Sequence, residues 1–184
     1  MIFKFKWFLS GLFLKLFCKK IGFPSYVSFP IFFTGLKNLS IGNRVRVFPG
    51  SRFEIHSGGF IKIGDNVGIG QNFHITSGGK LIIGSGTVIS ANVFVTNIDH
   101  DYTDVSLPIL EQRNIITDTE IGRNCFIGIG AAIQAGTKLG EHCIVGANSV
   151  VKGHFPDFCV IVGAPARIVK KYDFDLERWV SVTK

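Results

Sequence analysis

The chain has 184 residues, 46% of them hydrophobic and 22 of them glycine, which excludes disorder and makes one domain with a substantial core the expectation. Lys and Arg number 20 against 13 Asp and Glu, a net charge of +7, a balance that suits nucleic acid, an anionic membrane surface or phosphate-bearing ligands. No run of Arg and Lys interleaved with aromatics supports nucleic acid. Much of the excess gathers at the two ends, in Lys4, Lys6, Lys15, Lys19 and Lys20 and in Arg167, Lys170 and Lys171.

Residues 1–22 form a hydrophobic and basic first segment, MIFKFKWFLSGLFLKLFCKK and the two residues after it. It has no small-residue cleavage site, and Lys15 interrupts an apolar run too short to cross a bilayer, so neither export nor spanning fits. On a helix, Lys4, Gly11, Lys15 and Lys19 fall roughly along one stripe, with Phe5, Phe8, Leu9, Leu12, Phe13, Leu16 and Phe17 on the broad remainder. Such a helix either lies in the interface of an anionic membrane or packs on the domain or across an oligomer.

Residues 23–166 are expected to form the main domain, and their periodicity sets its type. FEIHSGGFIKIGDNVGIGQN (53–72) is followed by FHITSGGKLIIGSGTVISAN (73–92), matching Phe53 to Phe73, Ile55 to Ile75, Ser57-Gly58-Gly59 to Ser77-Gly78-Gly79 and Ile63-Gly64 to Ile83-Gly84. A third copy starts at Val93 and Val95 and then breaks. Between Val95 and Ile121 about twenty more residues stand than one six-residue step requires, which predicts a loop near 97–118 extruded from a regular solenoid. A loop of that length in such a frame is usually functional.

From Ile121 aliphatic residues recur every sixth position, as Ile121, Ile127, Ile133, Leu139, Val145 and Val151, with Thr119, Cys125, Ala131, Thr137, Cys143 and Ser149 two positions earlier. A period of six fits neither a 3.6-residue helix nor simple hairpins; three hexads make one triangular coil whose interior takes one large and one small residue per side. Glycine follows the aliphatic residue at Gly122, Gly128, Gly140 and Gly146, where a tight bend is expected. Cys125 and Cys143 sit one coil apart and read as small core fillers stacked at about 4.8 Å, not as a disulfide. With Cys18 and Cys159 they show neither CxxC nor zinc-ligand spacing, which points to a reduced, cytoplasmic setting. Residues 167–184 form a tail, expected to be short and helical.

Taken together, the hexads, the interrupting loop beginning Thr96-Asn97-Ile98-Asp99-His100-Asp101-Tyr102, and the ending VGANSVVKGHFPDFCVIVGAPARIVKK resemble the hexapeptide-repeat acyltransferases over about residues 41–171. The similarity is to the branch that O-acetylates sugars, including maltose, galactoside and above all surface-polysaccharide acetyltransferases. The resemblance implies an all-β fold, a left-handed parallel β-helix, assembled as a homotrimer with active sites between subunits and acetyl-CoA along the groove. It makes His100 the catalytic general base, a role that suits histidine because it titrates near neutrality. It further implies that Asn72, His74, Asp99, Asp101 and Tyr102 are acceptor or oxyanion candidates, with Asp99 or Asp101 able to orient the imidazole. Ile129, Ala147, Lys152, Arg167 and Lys170 match the acetyl-CoA-binding positions, Gln112 and Arg113 join Tyr102 as loop side chains that could meet the acceptor, and no metal is required.

The function expected is therefore acetyl transfer to a sugar hydroxyl in the making of a surface polysaccharide such as O-antigen, capsule or exopolysaccharide. The location expected is cytoplasmic, with membrane contact through residues 1–22 as an option. Two alternatives stand beside it: N-acetylation of an amino sugar or nucleotide-linked amino sugar, and a non-catalytic β-helical scaffold. His56, His74, His142 and His154 do not supply the spacing of a zinc-dependent β-helical relative.

Overall fold

The structure, a computed structural model, describes residues 2–182. Met1 of the expected first segment and Thr183 and Lys184 of the expected tail lie outside the described residues. Helix α1 (Ile2–Leu14) leads into a parallel β-solenoid of about seven left-handed turns. The left hand is opposite to that of nearly all parallel crossovers.

Three parallel sheets form the sides of a prism. The first carries seven strands, from Lys20–Ile21 through Lys80–Ile83 and Thr119–Ile121 to His154–Phe155. The third carries six, from Phe32–Thr34 through Phe94–Thr96 to Val150–Val151. The second begins at Tyr26–Val27, runs through Val88–Ile89 and Phe126–Ile127 to Cys159–Gly163, and then continues with two antiparallel strands, Ala166–Asp173 and Arg178–Ser181. The helical tail expected for residues 167–184 is thus replaced by a strand pair. Its β-branched and aromatic residues favour a pleated surface, and Tyr172 meets Trp179 edge-on across the pair at 5.4 Å.

Coil stacking explains the sequence pattern position by position. Ile121, Ile127, Ile133, Leu139, Val145 and Val151 are all buried, as are Thr119, Cys125, Ala131, Thr137, Cys143 and Ser149. Of the small polar members, Thr119 Oγ1 donates to Thr96 O at 2.9 Å and Thr137 Oγ1 to Val151 O at 2.9 Å, while Ser149 Oγ accepts from Gly163 N at 3.2 Å, so each is hydrogen-bonded where it is buried. Cys125 and Cys143 are free thiols in the core, and Cys159 extends the stack, its Sγ 3.6 Å from that of Cys143.

The glycines after the aliphatic residues serve close approach and not the bend. A Cβ on Gly122 would strike the carbonyl of Gly140 in the next coil. The left-handed conformation at the corners falls instead to residues such as Asn72, Asn92, Asn124 and Asn148, with φ between 54° and 58°, a region that asparagine tolerates better than most.

Coil lengths vary more than the sequence duplication indicates. Lys80–Ile83 pairs with Phe60–Ile63 twenty residues earlier, as the repeat predicts. In the third sheet, however, Phe53 pairs with Ile75 and Ile55 with Ser77, two residues off the apparent match of Phe53 with Phe73. The reason is that His56–Gly59 makes a four-residue corner while Ser77 stays inside its strand, leaving only Gly78 and Gly79 to turn. After the loop one coil of 18 residues follows, from Glu120 to Lys138 and from Phe126 to Ile144, and the last step, from Lys138 to His154, takes 16.

Candidate active site

The insertion emerges between Thr96 and Thr119, at the corner joining the third sheet to the first. Its base is held by Asn97, which is fully buried: its Oδ1 accepts from Gly78 N at 2.9 Å and its carbonyl from Thr117 N at 3.0 Å. From there the insertion rises as an antiparallel ribbon, Ile98–His100 against Asn114–Ile116, pairing His100 with Asn114. His100 is the last residue of the outgoing strand and is exposed, so the ribbon sets its position while leaving its imidazole accessible.

Beyond His100 the tip is fastened by its own polar side chains. Asp101 accepts from Thr103 Oγ1 at 2.7 Å and pairs with Arg113 Nε at 3.3 Å. Gln112 donates to the carbonyls of Asp104 and Leu107 at 2.9 and 3.0 Å and accepts from Asp104 N at 3.2 Å. Gln112 and Arg113, two of the side chains expected to meet an acceptor, are thereby engaged within the loop.

Asp99 accepts from the backbone N of His100 at 3.0 Å and, through its other oxygen, from Lys152 Nζ at 3.0 Å. The Lys152 hydrogen bond holds the Asp99 carboxyl below the usual aspartate range, aided by the His100 backbone. Asp101 is held low mainly by its hydrogen bonds to Thr103. Among the described residues neither carboxylate bonds to the His100 imidazole; Asp99 ties the ribbon to the solenoid and Asp101 ties the tip to itself.

A cleft of about 440 Å³ opens beside this ribbon, lined by Asp99, His100, Asp101 and Tyr102 on one side and Ala135, Gly136 and Lys152 on the other. A second groove of about 710 Å³ continues from Lys152 past His154 and Phe155 to Ala166, Arg167, Ile168 and Val169. The two share Lys152. The second groove joins basic heads at Lys152 and Arg167 to an apolar floor, a fit for a ligand with phosphates and a long uncharged arm. Lys170 lies past a bulge in its strand and does not line the groove. Sequence reasoning passed over Ala135, Gly136 and His154, whose hexad positions mark them only as corner or strand residues.

Four expected site residues stand elsewhere in the same chain. Asn72 and Ala147 sit at the corner between the second and third sheets, and Ile129 lies there too, one 18-residue coil before Ala147. Asn72 donates to Asn92 Oδ1 at 3.0 Å as part of the corner stack. His74 faces outward from the third sheet, 2.9 Å from Glu54 and with its ring 5.0 Å from that of Phe94. Among the described residues no group of three His, Cys, Asp or Glu side chains is placed to hold a metal ion. His142 is a corner residue stacked on Phe158.

Comparison with known proteins agrees with this architecture. The bacterial transferase hexapeptide (six repeats) model matches residues 118–153. A putative lipopolysaccharide biosynthesis O-acetyl transferase of Escherichia coli is 32% identical over 170 residues, covering 88% of this chain and 83% of that protein. A probable acetyltransferase of Mycobacterium tuberculosis is 29% identical over 142 residues, 77% of this chain, and the match spans only 47% of its length. Among solved structures, the N-acyltransferase AntD of Bacillus cereus, in complex with dTDP and 3-hydroxybutyryl-CoA, superposes with a TM-score of 0.77 at 20% identity over 93% of this chain and 92% of its own. A galactoside acetyltransferase in complex with coenzyme A gives 0.62 at 20% identity over 87% and 68%. At such identities the structural likeness speaks for the fold, and the Escherichia coli relative carries the kinship: the chain belongs to the hexapeptide-repeat acetyltransferases.

Proposed function

We propose that this acetyltransferase moves acetyl from acetyl-CoA to a sugar hydroxyl during the making of a surface polysaccharide, with His100 as general base. The observation that carries the reading is the position of His100, at the end of a ribbon pinned to the solenoid and on the wall of a cleft that runs through Lys152 into a basic and apolar groove. The sugar acceptor follows from the Escherichia coli relative, named for lipopolysaccharide biosynthesis.

In this mechanism Arg167 meets the phosphates of the acyl donor while Phe155, Ile168 and Val169 flank its arm, and Lys152, paired with Asp99, borders the passage between the two clefts. The thioester brings an activated acetyl group. The neutral His100 imidazole takes the proton from the acceptor hydroxyl as its oxygen attacks the thioester carbonyl. When the tetrahedral adduct collapses, the C–S bond breaks, and the imidazolium returns the proton to the departing thiolate. Tyr102, on the same wall, stands where an acceptor would enter. Asn72, His74, Ile129 and Ala147, which lie away from His100 in one chain, reach it in this reading from a neighbouring subunit of a homotrimer. The buried, free cysteines suit a reducing interior, and we place the enzyme in the cytoplasm.

The test is release of CoA thiol from acetyl-CoA in the presence of a panel of sugars and lipid-linked saccharides. His100→Asn should lower turnover by about 10²–10⁴-fold while the unfolding midpoint stays unchanged. Turnover retained in that variant refutes the base assignment, and the absence of thiol release with every acceptor in the panel leaves the scaffold reading standing. The likeness to AntD, an N-acyltransferase, over nine-tenths of both chains favours a second reading, transfer to a sugar amine. Mild alkali separates the two, because it removes an O-acetyl ester and spares an amide.

A further inference from the structure

Helix α1 has two apolar faces. Trp7, Gly11 and Leu14 turn toward the solenoid: Trp7 meets Phe48 edge-on at 5.0 Å, Gly11 lies against the backbone of Ser25 and Val27, and Leu14 joins the buried core. Gly11, expected on the polar stripe, is thus a packing position. The opposite face, Phe5, Leu9, Leu12 and Phe13 at helical spacing, and Leu16 in the turn just after the helix point to solvent, with Phe5 62% and Leu16 79% exposed. The packing alternative for the first segment therefore accounts for one face and leaves the other uncovered.

This outward face continues onto the first coil. Ring contacts of 6.3 Å between Phe13 and Phe29 and 5.7 Å between Phe29 and Phe33 join helix to strand, and Ile31, 70% exposed, lies between them in sequence. A contiguous aromatic surface of this kind marks a docking site. Charge identifies the occupant. Residues 1–53 hold nine Lys and Arg and no Asp or Glu, whereas residues 54–184 hold eleven against thirteen. All of the protein's net positive charge therefore sits at the end of the solenoid that carries the exposed rings. Lys15 and Lys19 are exposed there, Lys19 with its ammonium 5.3 Å from the centre of the Phe60 ring.

We propose that this surface docks the enzyme on an anionic lipid bilayer, with the Phe and Leu side chains entering the headgroup boundary and the lysines meeting lipid phosphates. Among the described residues no helix is long and apolar enough to cross a membrane, so the contact is peripheral. A second copy of the chain is the weaker occupant, because two surfaces this basic repel each other, whereas an anionic surface attracts both the charge and the rings.

The experiment is flotation of the full chain with vesicles of phosphatidylcholine alone and of phosphatidylcholine mixed with phosphatidylglycerol. The full chain should float with the mixed vesicles and remain below with the neutral ones. Lys15→Gln with Lys19→Gln should weaken partition by about 25-fold, on the order of fivefold per charge. Phe5→Ser with Leu16→Ser, both exposed and outside the core, should abolish flotation while leaving the unfolding midpoint unchanged. Equal recovery on both vesicle types, or a mass in solution that falls with Phe5→Ser and Leu16→Ser while vesicles are ignored, overturns the proposal, the latter in favour of self-association. The readout needs no acetyl transfer, so it fails or stands independently of the function proposed above.

Discussion

Lys152 stands between two roles, and removing its charge distinguishes them. The resemblance places it against acetyl-CoA; in the structure its ammonium lies 3.0 Å from Asp99, the residue just before His100, while its side chain borders both clefts. The two side chains are 58% and 45% exposed, so water screens the pair, and its worth in holding the ribbon is about 0.2–1 kcal/mol. That corresponds to about 1.4- to fivefold in the population with His100 in place. Lys152→Met keeps the stem and loses the charge, so as a latch it should lower kcat by that factor and leave the KM for acetyl-CoA alone. Asp99→Asn should do the same, and the double variant should be no worse than either. Steady-state kinetics on the four proteins, with acetyl-CoA varied, provide the measurement. A raised KM at unchanged kcat in Lys152→Met, with effects that add in the double variant to within about 0.3–0.5 kcal/mol, would refute the latch and return Lys152 to the phosphates.

Hybrid assembly tests whether the site spans two subunits: inactive His100→Asn mixed with Asn72→Ala should regain activity on co-folding, and a mixture no better than its parts contradicts a shared site. Ile133→Ala, at a fully buried position stacked between Val95 and Val151, should cost about 2–5 kcal/mol in denaturant unfolding; a loss under about 1 kcal/mol would mean that the prism relaxes around the cavity. Gln112→Ala removes three bonds to the tip backbone and should speed amide exchange at residues 101–113 by about tenfold or more without moving the global midpoint; unchanged exchange excludes Gln112 as the tip's fastening. The Asp99–Lys152 contact should persist through mild acid. Because the folded-state carboxyl is held low, its stabilisation is complete above the unfolded value of about 3.9 and is lost as pH falls through the lowered one. A carboxyl-carbon titration of Asp99 whose midpoint does not rise in Lys152→Met would contradict that account.

The prism was legible because its two determinants are local and repeated. A large aliphatic at one position and a small residue two before it meet the same triangular interior in every coil, so Ile121 to Val151 could be placed inside before any pairing was known. The same regularity exposed the insertion and with it His100. What misled the duplication of 53–72 and 73–92 was equally local: Ser57-Gly58-Gly59 and Ser77-Gly78-Gly79 look alike, yet one forms a corner and the other begins with a buried strand residue. Hydrogen bonding to the neighbouring coil chooses between those states, and no residue type within the segment announces the choice.

The residues by themselves therefore determined the solenoid, its interior and the site of its interruption, because burial at a fixed period leaves a trace in composition. Only the tertiary structure decided that the interruption is a ribbon, that Asp99 reaches Lys152 across 53 positions, and that Gln112 serves the loop. It also decided that α1 spends one apolar face on the first coil and keeps the other, since a helix apolar on nearly every side carries no record of which face will be covered. Contacts between segments distant in sequence depend on where the coils set them down, and that placement is a property of the stack.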